Sequence, residues 1–229
     1  MRIAVHQPQY LPWIGYFHKM MNVDAFVFLD NVQYKKREFQ NRNKIKTANG
    51  PIWLTVPVIT KGRFHQRIKD VEINNTERWR EKHFEAILRN YRKAKHFREF
   101  EEFLNKLYSL PWEKLCDLNV FIIREFAKYL EIDVKFYFET ELNIEGEKTE
   151  RIINLCKKLK ADTYLSGTGA KDYLVEERFE EEGIKLEYQN FAHPVYPQLY
   201  GDFVSNLSIL DLFLNCGKES LKIIRNSLV

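Results

Sequence analysis

The chain is 229 residues long, 45% hydrophobic and 30% charged, which excludes a disordered protein and suits a domain with a substantial core. Lys and Arg total 36 against 32 for Asp and Glu, and the resulting net charge of +4 is too mild to imply nucleic acid by itself. Aromatic residues make up 14%, enough to fill a core and to leave rings over for a flat ligand.

Arg2 to Val5 reads as a short buried strand. Pro8 and Pro12 then forbid a regular helix or a central strand, so His6 to Trp13 forms a stiff loop at a strand's carboxyl end. Ile14 to Met21 has a helical pattern, and Ala25 to Leu29 reads as a second buried strand ending at Asp30. Strand, loop, helix, strand is a βαβ opening, which favours a parallel sheet. Residues 31–50 are basic and polar, with a turn at Asn49-Gly50-Pro51. Strands are expected at Ile52–Val58 and Val71–Ile73. Thr76 is a candidate N-cap for a helix carrying Trp79, Phe84, Ile87, Leu88 and Tyr91. Helical patterning continues through Phe97–Leu107 and Trp112–Leu130. A strand at Val134–Phe138 precedes a helix at Lys148–Leu159 and a strand at Thr163–Leu165. The turn Ser166-Gly167-Thr168-Gly169 leads to a helix at Lys171–Glu182, a strand at Ile184–Tyr188 and a final helix at Ser208–Asn215, which Gly217 ends. The expected fold is α/β: a mostly parallel or mixed central sheet with flanking helices and a helical insertion near residues 76–130. No linker or repeat divides it, so residues 1–229 are expected to form a single domain.

Cys116, Cys156 and Cys216 are an odd number, form no C-x-x-C pair and lie in apolar helical contexts, so they read as buried thiols. The first residues lack the apolar run of a leader, and no run of about 18 apolar residues occurs. A cytoplasmic location without a membrane span is the expectation.

Several motifs carry a family likeness. The opening His6-Gln7-Pro8-Gln9-Tyr10-Leu11-Pro12-Trp13-Ile14-Gly15-Tyr16-Phe17 closely resembles the N-terminal signature of WbqC-like proteins. So do Asp30-Asn31-Val32-Gln33-Tyr34, Asn41–Lys46, Tyr164-Leu165-Ser166-Gly167, His193–Gln198 and Leu207–Asp211, in the same order along nearly the whole chain. The resemblance implies a place among bacterial surface-polysaccharide (O-antigen type) gene clusters, and a glycyl or other aminoacyl transfer to a sugar.

Candidate residues follow from chemistry and position. Ligands of open α/β sheets bind outside the carboxyl ends of strands, which puts His6 where an imidazole acts as a general base. Gln7, Gln9 and Tyr10 add polar groups beside it; the plainer reading of His6 is a loop-holding hydrogen bond. Asp30 is placed to orient His6, or else to cap a turn, with Asn31 and Gln33 beside it as substrate contacts. Lys35, Lys36, Arg37, Arg42, Lys44 and Lys46 crowd one short stretch, with Asn43 among them. Arg42, Lys44 and Lys46 are candidates to hold a diphosphate, or simply make a solvated face. Backbone amides of Ser166, Gly167, Thr168 and Gly169 are candidates for an oxyanion or phosphate. This turn matches neither a Walker loop, nor G-x-G-x-x-G, nor a nucleophile elbow. His193 stands before Pro194 as a second acid/base, expected to share one pocket with His6. The spacing of His6, Asp30 and His193 fits no metal-ligand pattern, so no metal and no cofactor are expected.

Three functions remain open. One is transfer of an acyl or aminoacyl group to an amino sugar on a nucleotide diphosphate, which makes a nucleotide-sugar and an acyl or aminoacyl donor the partners. The second is a non-catalytic nucleotide-sugar-binding accessory protein. The third is nucleotidyl transfer, although the H-x-G-H spacing is absent.

Overall fold

The computed structural model describes residues 1–227. Strand β1 (Arg2–His6) leads through a loop to helix α1 (Ile14–Met21) and strand β2 (Ala25–Phe28). A hairpin of β3 (Arg42–Thr47) and β4 (Gly50–Thr55) follows, then three helices, α2 (Trp79–Tyr91), α3 (Phe97–Ser109) and α4 (Leu115–Tyr129). Next come β5 (Lys135–Phe138), the short α5 (Glu139–Leu142), α6 (Lys148–Leu159) and β6 (Thr163–Ser166). The described chain closes with α7 (Glu176–Glu181), β7 (Lys185–Tyr188), α8 (Ile209–Cys216) and α9 (Glu219–Arg225).

Alternation in the two central strands creates a layer on each face of the sheet. Ile3, Val5, Ala25 and Val27 pack against Ile152, Ile153, Leu155 and Cys156 of α6. Ala4, Phe26 and Phe28 join the larger core built with α1, α4 and α8. The sheet runs β5-β2-β1-β6-β7 with every pairing parallel. The chain therefore winds outward from β1 in one direction, then returns to add β6 on β1's other side. That reversal makes the β1/β6 boundary the topological switch point, where open α/β sheets place ligands.

The boundary itself is short. β1 pairs with β2 up to His6↔Phe28, but with β6 only at Arg2↔Thr163 and Ile3↔Tyr164. Charges close the opposite end: the Met1 ammonium lies 2.6 Å from Asp162, and Arg2 lies 2.5 Å from Glu187 on β7. A crevice is left at the carboxyl ends of β1 and β6.

Several elements differ from the sequence expectations. Strand β3 was not anticipated, because Ile45 is its one buried apolar side chain in a basic run. The strand expected over Ile52–Val58 is Gly50–Thr55, the antiparallel partner of β3. Val71–Ile73 forms no ladder strand; Val58↔Ile73 and Glu72↔Lys114 are isolated bridges. Thr76 does not cap α2: its hydroxyl and amide both donate to Asn74 Oδ1, and the helix starts at Trp79. The expected helix over Lys171–Glu182 shrinks to α7, because Val175 is extended and a 3-10 turn occupies Thr168–Ala170. Helices α5 and α9 were not foreseen. The three cysteines are free and buried, and burial pushes the Cys116 and Cys156 thiols up to about 12.

Candidate active site

A cavity of about 420 Å³ fills the crevice at the switch point. Its lining includes Val5, His6 and Gln7 at the carboxyl end of β1, and Ser166 to Ala170 at the carboxyl end of β6. Helix α1 supplies Gly15, Tyr16 and Lys19; Trp13, Gln189 and Phe191 complete one wall, with Tyr164, Tyr173 and Leu29 elsewhere in the lining. Among the described residues no Asp or Glu lines it.

The loop bearing His6 is held from outside the cavity. Asn119 Nδ2 donates to the Pro8 and Gln40 carbonyls, Asn43 Nδ2 donates to the Leu11 carbonyl, and Gln40 donates to Gln7 Oε1 at 2.7 Å. Gly15 is required by packing, because a Cβ there would come within 2.2 Å of the Trp13 ring. Trp13 meets the Phe191 ring edge-on at 5.4 Å, so the two close one side of the cavity.

His6 Nδ1 lies 3.1 Å from the Gln7 carbonyl oxygen, an acceptor, so Nδ1 carries the ring hydrogen and Nε2 keeps its lone pair. Tyr16 packs on the ring with centroids 4.6 Å apart. Desolvation, reinforced by the nearby Lys19 charge, holds the imidazole well below its ordinary pKa, so it is neutral at pH 7. Lys19 is itself buried, its Nζ 3.4 Å from the Val5 carbonyl, and desolvation lowers its pKa to about 7. Gln189 Nε2 donates to the Gly15 carbonyl and to His18 Nδ1, which fixes the amide at the cavity wall. Ser166 is fully buried, and its hydroxyl reaches the Gly167 carbonyl at 3.3 Å.

Of the residues singled out from sequence, His6, Gln7, Ser166, Gly167, Thr168 and Gly169 meet in this cavity. The others lie elsewhere. Asp30 is buried and accepts the Thr140 amide at 3.0 Å at the start of α5, in the manner of a helix cap; no hydrogen bond joins it to His6. His193 does not line the cavity: Nδ1 donates to the Pro194 carbonyl, Nε2 accepts the Asn206 amide, and the ring packs behind Phe191. The expected pairing of the two histidines in one pocket is therefore absent, because the segment after Phe191 carries His193 past the cavity wall. Tyr10 is fully buried, its hydroxyl shared with His83 and Tyr108. Gln9 lies outside the lining and leaves Oε1 buried without a partner.

The basic run also diverges from the cavity. Arg42 and Lys44 lie over the exposed Trp53 ring, at 4.2 and 4.9 Å, and Arg42 donates to the Arg37 carbonyl. Asn43 is a buried loop tie, and the buried Lys46 donates to Gln198 Oε1 and the Asp202 carbonyl. Asn31 and Gln33 line a neighbouring cavity of about 400 Å³ that also includes Arg67 and Lys148 and shares Leu29 and Tyr173 with the first. Asn31 Oδ1 accepts from Arg67 at 2.7 Å.

Sequence reasoning missed Lys19, Gln189 and the aromatic wall. Lys19 did leave a signal: it is the one lysine in an otherwise mainly apolar eight-residue helix that follows a strand-end loop. Among the described residues no group of three or more His, Cys, Asp or Glu could hold a metal ion, and no helix is long and apolar enough to cross a membrane.

The sequence profile of the WbqC-like protein family matches residues 7–223. The chain is also similar to an uncharacterized protein of Mycobacterium tuberculosis, 38% identical over 221 residues that cover 96% of this chain and 95% of that one. No solved structure matches the chain significantly. A match over nearly the whole chain, with Gln7, Ser166 and Gly167 of the matched region lining the switch-point cavity, means that the chain belongs to the WbqC-like protein family.

Proposed function

We propose that the chain is a transferase of surface-polysaccharide biosynthesis. It joins an acyl or aminoacyl (glycyl) group to an amino sugar carried on a nucleotide diphosphate, and the reaction takes place in the β1/β6 cavity. One observation carries this reading: a neutral imidazole whose Nδ1–H is fixed on the Gln7 carbonyl stands in a cavity at the switch point. The sugar amine attacks the carbonyl carbon of an activated acyl donor. The new C–N bond forms, the donor's leaving group departs, and His6 Nε2 takes the amine proton. Backbone amides from Ser166 to Gly169, which line the same cavity, serve as donors to the developing oxyanion. The adjoining cavity with Asn31, Gln33 and Arg67 accommodates the outlying part of the substrate. The polysaccharide setting rests on the family likeness.

Nucleotidyl transfer is a second reading, favoured by strand order. Counted among themselves, the parallel strands run 3-2-1-4-5, the order of dinucleotide-binding sheets. Product analysis separates the two: release of pyrophosphate marks nucleotidyl transfer, and a new amide marks acyl transfer.

The His6→Gln variant tests the assignment. It keeps polar reach and loses proton exchange, so single-turnover transfer should fall about 10²–10⁴-fold with little change in melting temperature. A destabilised variant whose folded fraction is fully active would give His6 a structural role and remove the proposal's support. Nucleotide-sugar binding without turnover in the wild-type protein would make the chain a binding module.

A further inference from the structure

Lys19 is 4% exposed, yet no described residue provides an anion for it. A buried ammonium ordinarily sits against a carboxylate, because the interior penalises an unpaired ion by about several kcal/mol. Here the one partner of Nζ among the described residues is the Val5 carbonyl, at a long 3.4 Å. Among the described residues the rest of the lining consists of aliphatic side chains, neutral amides, hydroxyls, rings and one neutral imidazole, with no carboxylate. The first turn of α1 adds to the same polarity: Trp13, Gly15 and Tyr16 face the cavity, and no side chain caps the helix.

We infer that the substrate supplies the missing counter-ion, a phosphate or carboxylate group that enters the β1/β6 cavity and pairs with Lys19 Nζ. This rests on placing the reaction in that cavity, and it names the charge class of the substrate there. It also moves the anion subsite from Arg42, Lys44 and Lys46 to a buried lysine on α1.

Protonation gives a signature. Lys19 titrates at about 7, so at pH 8 it is mostly neutral and an arriving anion draws a proton onto it. The other titratable groups lining the cavity stay fixed at that pH. His6 is lowered, and Tyr16, Tyr164 and Tyr173 are raised, all by burial. A proton taken up on binding therefore belongs to Lys19.

Calorimetry at pH 8, in buffers of different ionisation enthalpy, tests this with uridine diphosphate and, separately, glycine. The expected result is binding with net proton uptake. Lys19→Met should abolish the uptake and weaken binding about 10- to 100-fold, the range for hydrogen bonds to charged groups. Lys44→Met, outside the cavity, should bind as wild type does. Uptake with uridine diphosphate alone assigns a phosphate, and with glycine alone a carboxylate. Equal affinity and equal uptake in wild type and Lys19→Met, or binding of neither probe by the wild type, overturns the inference. Lys19-dependent binding by a protein that transfers nothing leaves the inference standing and removes only the proposed reaction. An inactive His6→Gln protein beside a Lys19→Met protein that binds normally does the reverse.

Discussion

Lys19 is held in the folded chain against its own solvation, and that has a measurable cost. Unfolded, it titrates near its ordinary 10.5; folded, at about 7. Between those values the unfolded chain carries more protons, so this residue makes stability rise with pH. Lys19→Met removes both the cost and the slope. It should stabilise the ligand-free protein by about 1–3 kcal/mol near pH 7, as replacement of a buried charge by an apolar group can do. The advantage should shrink by pH 9, as read from urea denaturation at the two pH values. A Met variant less stable than wild type at pH 7 would mean that water or a partner group solvates Nζ. The same residue shows why the site was half legible in sequence. His6, Gln7 and the Ser166–Gly169 turn follow strands that hydrophobic runs reveal, so the sheet rule places them. Lys19 faces the site from a helix, and its orientation depends on α1's packing against β1, which no local pattern encodes. Asp30 and His193 had the right chemistry near strand ends, but backbone amides at α5 and Asn206 take up their polar atoms.

Much of the basic run and of the C-terminal motifs serves the joining of elements. Asp211 of α8 is fully buried and accepts from Tyr91 of α2 at 2.7 Å and from Gln198 at 2.8 Å. The Tyr91 hydroxyl accepts the Lys46 amide of β3, and Lys46 Nζ returns to Gln198. Two segments thus meet on the carboxylate of α8, whose pKa burial raises, and β3 joins them through Tyr91 and Gln198. Asp211→Ala would strand these donors and should cost about 2–4 kcal/mol in a denaturation experiment, with Asp211→Asn costing less because an amide oxygen still accepts. Equal, small losses for both variants would mean that the network adds nothing beyond packing. Elements with a strong apolar pattern were legible: α1 and α6 fall on the expected residues, and the parallel strands fall within a residue or two. Strand β3 was not, because it buries Asn43 and Lys46 by hydrogen bonding and lays Arg42 and Lys44 over the exposed Trp53 ring. Buried polar pairing is a tertiary property, and in sequence it reads as a charged loop.

Across the whole molecule, four of the six histidines are held neutral by desolvation: His6, His18, His83 and His193. Their folded pKa values are depressed, that of His83 to about 4, so the unfolded chain binds the extra protons as pH falls through 6.5. Stability should therefore drop between pH 7 and 5.5, by about 1.3 kcal/mol in all for each of His6 and His83, the two whose values are lowered furthest. Urea midpoints across that range measure it, and His83→Phe should flatten the slope. A midpoint that stays constant would show that these rings protonate freely in the fold. The β1/β6 boundary has a further consequence. Its two paired positions and two surface ion pairs lie at one end of the strands, while the other end stands open around the cavity. The arrangement works like a clothes-peg, with its spring in the salt-screened charges and its jaws at His6 and Ser166. Whatever occupies the jaws bridges the two halves of the sheet where the backbone does not. A molecule held there would join β1 to the β6–β7 half at the end where the strands are unpaired, and so would serve as a mechanical member of the fold while bound.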